Sequence, residues 1–455
     1  MNDSTSDTKI LFTVPIRHIK KACANGIARR GLAVFLIQLI GIAAAFATQI
    51  LLARLLGKEQ YGVHVYVLSW MMILLLPAVF GMDTMVLRFY SSYVDSKKIA
   101  KVDGLVWFSR TTVFVTSLLS SLFAFGILFF LYFESRLTVN VAICFTIGLA
   151  ALPLTAQMNL NTGFLRACRK PVFAAALVNP IRPVLVALFV FLAYVFMPKE
   201  MSARVSLAVY LLSTGIIVVI GARVLYLHRF EFHVHAANKE YEKKLWLGSA
   251  LPLMLTSSFQ MVMRQCDIIM IGYYLGLTQA GIYAVATRMV GLVAFGLNAT
   301  NVVVAPMISV AYASHRTDDL KKSLRSSAAT VLGLTIPLAT ILLLVGKWGL
   351  ELFGEGFSSA YPALAILCGG QVVNALCGCV GYLLTMTGNE RTTSWILFFT
   401  AILNIFLNAV LIPKWGMLGA AFATTTTMVV WNVWMMVVVW KRLQLNPTVL
   451  AWIFR

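Results

Sequence analysis

Leu56-Gly57-Lys58-Glu59-Gln60-Tyr61-Gly62-Val63 returns in the second half of the chain as Leu275-Gly276-Leu277-Thr278-Gln279-Ala280-Gly281-Ile282. In both places a Leu-Gly pair closes a long apolar stretch, a glycine opens the next, and that second stretch leads to a basic loop. Each stretch beside these turns is long enough to cross a bilayer, for which roughly 20 apolar residues suffice. Spans are expected near 31–55, 62–87, 105–133, 138–163, 173–196 and 205–228, and again near 246–274, 281–310, 326–350, 359–387, 393–412 and 416–440. They must be helices, because in lipid each span has to satisfy its own backbone hydrogen bonds. The pattern predicts an all-α integral membrane protein with about twelve transmembrane helices in two six-helix lobes. An even number of spans per half keeps the halves in one orientation. A pseudo-two-fold axis along the membrane normal then relates them, with a substrate site between. The expected organisation is a basic cytoplasmic N-terminal tail (1–30), an N-lobe (31–228), a cytoplasmic linker loop (229–244), a C-lobe (245–440) and a cytoplasmic C-terminal tail (441–455).

Composition excludes a soluble protein. Of the 455 residues 60% are hydrophobic and 12% charged, with a mean hydropathy of +0.84, whereas soluble domains carry roughly 25% charged residues. The formal charge of +20 would admit nucleic-acid binding, but its distribution argues otherwise. Lys20, Lys21, Arg29, Arg30, Lys97, Lys98, Lys101, Arg169, Lys170, Lys243, Lys244, Lys321, Lys322, Lys441 and Arg442 all fall in alternate connections, and the intervening ones are poor in Lys and Arg. That asymmetry places both termini in the cytoplasm. Residues 1–30 lack the pattern of a cleavable signal peptide, and the mixed apolar and basic stretch from Ile10 to Arg30 suits either a membrane surface or a partly ordered tail. The seven cysteines contain no CxxC pair and imply no disulfide framework. No phosphate-binding loop is present, so ATP hydrolysis is not expected; the outer loops are too short to build an active site, and neither an enzyme nor a cofactor is expected. His228, His233 and His235 lie in a basic loop without a matching ligand and carry no metal site.

The second half reads "DIIMIGYYLGLTQAGIYAVATRMVGLVAFGLNATNVVVAPMIS", then "LFGEGFSSAYPALAILCGGQVVNALCGCVGYLLTMTGNE" and "NIFLNAVLIPKWGMLGAAFATTTT". Together with "LLARLLGKEQYGVHVYVLSW" in the first half, this resembles the O-antigen type polysaccharide-biosynthesis flippases of the multidrug/oligosaccharidyl-lipid/polysaccharide (MOP) exporter superfamily. The likeness runs from about Gly31 to about Arg442. It implies a two-lobed fold and translocation of a polyprenyl-diphosphate-linked oligosaccharide across the inner membrane by alternating access, for surface polysaccharides such as lipopolysaccharide O-antigen or exopolysaccharide. It also implies membrane lipids as surroundings, H+ or Na+ as a coupling ion, and polysaccharide polymerase and chain-length proteins as candidate partners. A cation-coupled multidrug exporter of the same superfamily and a lipid II-type flippase are the alternatives.

Charge inside the spans is sparse and mostly positive: Asp83, Arg110, Arg182, Arg264, Asp267 and Arg288. An intramembrane charge costs roughly 3 kcal/mol on insertion scales, so each is a candidate functional group. Arg182 ranks first. It sits within Asn179-Pro180-Ile181-Arg182-Pro183, where the prolines open the helix and a guanidinium offers a bidentate fork to phosphate oxygens. The structural alternative is an arginine capping the freed carbonyls. Arg264 and Asp267 are three residues apart and share a face, so they form either a substrate or ion site or a self-neutralising pair. Arg288 binds substrate or snorkels. Arg110 is nearer an inner helix end, where snorkelling is the default. Asp83 is an ion-coupling candidate, as is Asp267, and Asp83 pairs with Arg88 on the plainer reading. Asn161 and Asn298 are candidate glycan contacts, although amides in membranes commonly bond between helices.

Overall fold

The computed structural model describes residues 16–135, 137–231, 239–313 and 317–444. These residues are helical throughout apart from connections. Helix α1 (Ile16–Val79) turns back on itself at Gly57, whose φ of 69° and ψ of 169° only glycine adopts without strain. Its two arms, 16–56 and 58–79, are therefore separate spans. Gly276 has nearly the same backbone, φ 93° and ψ 162°. It joins α8 (Lys243–Leu275) to α9 (Leu277–Ala313), so the sequence echo is also a conformational one.

The N-lobe is completed by α2 (Met82–Asp95), α3 (Ile99–Phe133), α4 (Val139–Ala167), α5 (Pro171–Ala176), α6 (Arg182–Phe196) and α7 (Ala203–Glu231). The C-lobe continues from α8 and α9 with α10 (Thr317–Glu351), α11 (Tyr361–Cys377), α12 (Val380–Met386), α13 (Glu390–Trp415) and α14 (Met417–Leu443). Among the described residues eleven helical stretches are long and apolar enough to cross a membrane, and the first holds both arms of α1, which brings the spans to the expected twelve. The expected edges shift in particular places. Helix α1 begins at Ile16, inside the stretch expected to be a tail. The second span breaks at Phe80 and Gly81, both of positive φ, and resumes as α2. The tenth breaks at Gly378 between α11 and α12.

The lobes meet closely at the repeated glycines. A Cβ on Gly281 would lie 2.6 Å from the Cα of Gly62, and one on Gly62 would lie 2.2 Å from the carbonyl oxygen of Leu277. Equivalent residues of the two repeats thus touch each other, as they must where a pseudo-two-fold axis passes. Around them the far end, opposite the basic loops, is sealed by one hydrophobic core drawn from both lobes, including Leu52, Tyr61, Val65, Ile268, Tyr283 and Phe353. Edge-to-face rings reinforce it, Phe46 on Phe353 at 5.3 Å and Tyr61 on Phe357 at 5.8 Å, while Arg54 Nε donates to the Leu352 carbonyl at 2.6 Å. Such close, small-residue contact drives helix association where lipid offers no hydrophobic gain.

Toward the basic end the joint core gives way to separate ones. The larger in the N-lobe holds Met82, Leu105, Leu152 and Phe164; the larger in the C-lobe holds Met263, Leu383, Ile396 and Val439. The start of α8 is the exception, since Trp246 and Ala250 pack within the N-lobe core. Just before α8, the amide of Glu240 bonds to the carbonyl of Ala100 at 3.1 Å. The carboxylate of Glu242 accepts from Lys101 Nζ at 2.5 Å and from the Tyr93 hydroxyl. The bond from Lys101 holds the Glu242 carboxyl below the usual carboxylate range. The expected lobe boundary at residue 245 therefore falls within a segment that packs on the other lobe.

Candidate functional site

A cavity of about 290 Å3 lies between the lobes, just on the basic side of the joint core. Both arms of α1, together with α6, α7, α8 and α9, contribute to its wall. At 1.5 Å rise per residue, Gln49, Arg264 and Arg288 stand roughly 12–18 Å along their helices from the Gly57 and Gly276 turns, near mid-membrane depth. The cavity brings together Arg182 of the N-lobe with Arg264 and Arg288 of the C-lobe. Among the described residues no aspartate or glutamate lines it.

How each arginine is held differs. Arg182 follows a π-helical turn, Leu177–Ile181, which arises because Pro180 has no N–H to donate into the ladder. Gly41 of α1 presses on this turn, and a Cβ there would lie 2.5 Å from the Asn179 Cβ. The Pro183 carbonyl is taken by the Thr48 hydroxyl at 3.0 Å, not by the arginine. The Arg182 guanidinium instead lies 5.1 Å from the ring centre of Tyr210 and reaches the Met158 sulfur at 3.8 Å. It is oriented by soft contacts and has no carboxylate beside it among the described residues. Arg264 is exposed on α8. Arg288 donates to Gln49 Oε1 and to the Tyr61 hydroxyl oxygen, both on the opposite lobe.

Arg264 and Asp267 do not form the self-neutralising pair that their spacing allowed. Asp267 is buried and accepts from Tyr283 Oη at 2.9 Å, from Asn408 Nδ2 at 2.9 Å and from Thr424 Oγ1 at 2.5 Å. Asn408 Nδ2 also bonds Asn404 Oδ1 at 3.2 Å, and Asn408 Oδ1 is buried with no donor. A carboxylate with amide and hydroxyl oxygens beside it, one of them without a donor, can hold a small hard cation or a proton within the C-lobe.

The remaining expected residues lie elsewhere. Asp83 pairs with Arg166 of α4 at 3.8 Å instead of with Arg88, because α4 approaches so closely that a Cβ on Gly163 would lie 2.5 Å from the Asp83 carbonyl oxygen. Arg110 is exposed on α3 and does not line the cavity. Asn161 is buried at the α4–α7 contact and donates to the Val218 carbonyl at 3.4 Å, the between-helix role. The side chains of Asn298 and His228, and all of His233 and His235, lie outside the described residues. Residues not anticipated include Gln49, Tyr61 and Thr48, and also His64, which is buried with its Nδ1 2.9 Å from Ser206 Oγ. Their only signal is that they are polar inside apolar spans.

Comparison with known proteins adds the following. The sequence profile of the polysaccharide biosynthesis protein family matches residues 27–312, and that of the MatE family matches residues 252–410. The chain is 30% identical over 191 residues to the probable flippase AglR of Haloferax volcanii, covering 41% of this chain and 40% of that protein. The probable low-salt glycan biosynthesis flippase Agl15 of the same organism is 24% identical over 36% of this chain and 35% of its own length. The match thus spans less than half the length of these two relatives. An uncharacterised membrane protein of Methanocaldococcus jannaschii is 23% identical over 89% of this chain and 81% of its own. Among solved structures, an inward-facing multidrug resistance MATE family transporter of the MOP superfamily superposes with a TM-score of 0.74 at 12% identity, covering 91% of this chain and 98% of that one. A MOP superfamily transporter from Pyrococcus furiosus, described as having a binding pocket of reversed polarity, gives 0.65 at 13% identity, covering 91% and 95%.

Proposed function

The chain belongs to the polysaccharide biosynthesis protein family, and from that premise we propose that it is a flippase for a polyprenyl-diphosphate-linked oligosaccharide. The observation that carries this reading is the cavity in which Arg182, Arg264 and Arg288 converge without a carboxylate. A cationic, mid-membrane chamber favours an anion, and guanidinium forks suit diphosphate oxygens. It disfavours cationic drugs, which call for carboxylates in the same place. The names of the Haloferax relatives point the same way.

In this mechanism the basic end faces the cytoplasm of a cell whose inner membrane the chain spans. The diphosphate enters from that side, where the lobes have separate cores, and Arg182 and Arg264 take its oxygens. The prenyl tail remains in lipid and the glycan fills the gap between the lobes. Rocking of the lobes, which parts the Gly62–Gly281 contact, then exposes the glycan on the other side. Asp267 is the site at which H+ or Na+ couples to that motion, through a cluster that draws on α8, α9, α13 and α14. Arg110, Asp83 and Asn161 lie outside the cavity and have no direct part in this reading.

Reconstitution in liposomes with a labelled polyprenyl-diphosphate oligosaccharide and an ion gradient tests it. Wild type should transport, and Arg182→Ala should lose most of that activity at unchanged protein level. Failure of the wild type with several lipid-linked glycans would overturn the substrate assignment.

A further inference from the structure

The hydrogen bonds of Arg288 cross the lobe boundary. Its guanidinium sits on α9 of the C-lobe, and both oxygens it donates to, Gln49 Oε1 and the Tyr61 hydroxyl, belong to α1 of the N-lobe. Tyr61 in turn donates to Gln49 Oε1 at 3.1 Å, and its ring centre lies 5.9 Å from the guanidinium carbon. This trio sits where the cavity meets the far-end seal. Gln49 and Arg288 face the cavity, while Tyr61 is fully buried in the joint core with its ring against Phe357.

That position has a physical consequence. Separating the lobes at the far end carries α1 away from α9 and strips Arg288 of both acceptors, leaving a bare cation inside the membrane, which is costly. Both present acceptors are neutral. An anionic oxygen adds opposite charge to the bond and can take a guanidinium as a bidentate fork, so a diphosphate in the cavity outcompetes them.

We propose that Arg288, Gln49 and Tyr61 form a substrate-released latch. In the empty protein the three hold the far end shut. When an anionic headgroup takes over the guanidinium, Gln49 and Tyr61 are freed and the far end opens with the load attached to Arg288. After release of the load Arg288 again lacks acceptors, and recovering Gln49 and Tyr61 draws the lobes shut. The trio thereby sets the order of the cycle as well as contributing to binding. This inference rests on the proposed anionic substrate, but its central claim concerns the empty protein and can fail separately.

Hydrogen exchange of the full chain in lipid nanodiscs, followed by mass spectrometry, tests it. The informative peptides cover 54–62 and 275–281, which meet at the seal. Farnesyl diphosphate serves as a small isoprenoid diphosphate probe. In the wild type these peptides should be protected without probe and exchange faster with it. In Gln49→Leu/Tyr61→Phe they should exchange faster without any probe, by about fivefold or more, the lower range of ordinary coupling between sites. The same variant should bind the probe more tightly, because the competing acceptors are gone. Tyr61→Phe alone preserves ring packing on Phe357 and should move exchange in the same direction, which guards against a folding defect in the double variant. Unchanged exchange in both probe-free variants overturns the latch and leaves the flippase reading intact. Faster probe-free exchange in the variants, with no binding of the diphosphate by any form, supports the latch and removes the proposed substrate.

Discussion

At the scale of single residues, one buried anion and three cations are assigned to different places for different reasons. Asp267 is surrounded by donors, so its removal leaves them unpaired. Asp267→Ala should lower stability by about 1–3 kcal/mol, the usual cost of orphaning buried polar groups, read as a fall in thermal midpoint in detergent. Asp267→Asn keeps the shape and loses the charge. It should fold with a much smaller loss and make transport insensitive to the imposed ion gradient, whereas gradient-dependent transport in that variant would move the coupling site elsewhere. The charges themselves were legible in the sequence, because an arginine or aspartate amid apolar residues stands out. Their partners were not. The spacing of Arg264 and Asp267 permits an ion pair, but which way each side chain turns is fixed by α13 and α14, whose Asn408 and Thr424 are distant in sequence. Gln49 and Tyr61 were missed for the same reason, since their role depends on a residue of the other lobe.

Among the helices, the segment before Arg182 matters most. The π turn at Leu177–Ile181 adds a residue to one helical turn, so it sets the face on which Arg182 emerges. Pro180→Ala restores a donor and lets the turn relax to α geometry, which rotates Arg182 by about one residue's worth of helix, roughly 100°. The protein should remain folded and lose transport nearly as fully as Arg182→Ala does. Undiminished transport in Pro180→Ala would show that the turn does not orient the arginine. The two prolines were visible as helix openers, but the sequence could not say that Thr48 would bond the Pro183 carbonyl. A second prediction concerns Glu242, whose carboxyl is held low by Lys101. Its contribution is therefore complete above the ordinary carboxylate range and is lost as pH falls through the lowered value. Protection of amides in 99–104 and 239–246, measured against the intrinsic exchange rate at each pH, should fall on acidification, and Glu242→Gln should abolish that change in protection.

For the molecule as a whole, the repeat was the most legible feature, because an Leu-Gly turn with glycines after it must be repeated if two lobes are to meet on an axis. What the sequence could not supply is that Gly62 and Gly281 touch each other. Gly62→Ala places a methyl against the Leu277 carbonyl at a separation no real contact tolerates, and overpacking of this kind costs about 1–3 kcal/mol. The far end should be held ajar. Labelled maleimide should then reach a cysteine introduced at Leu56 in Gly62→Ala and not in the Gly62 background.

The docking of residues 239–250 on the N-lobe bears on how the protein could be made in pieces. Lys239, Glu240, Glu242, Trp246 and Ala250 anchor the opening of the second half to the first. If the chain is encoded as two polypeptides broken between Glu231 and Lys239, the second therefore carries its own recognition segment for the first. Co-expressed halves should copurify as a functional pair, held by this segment at the basic end and by the joint core at the far end.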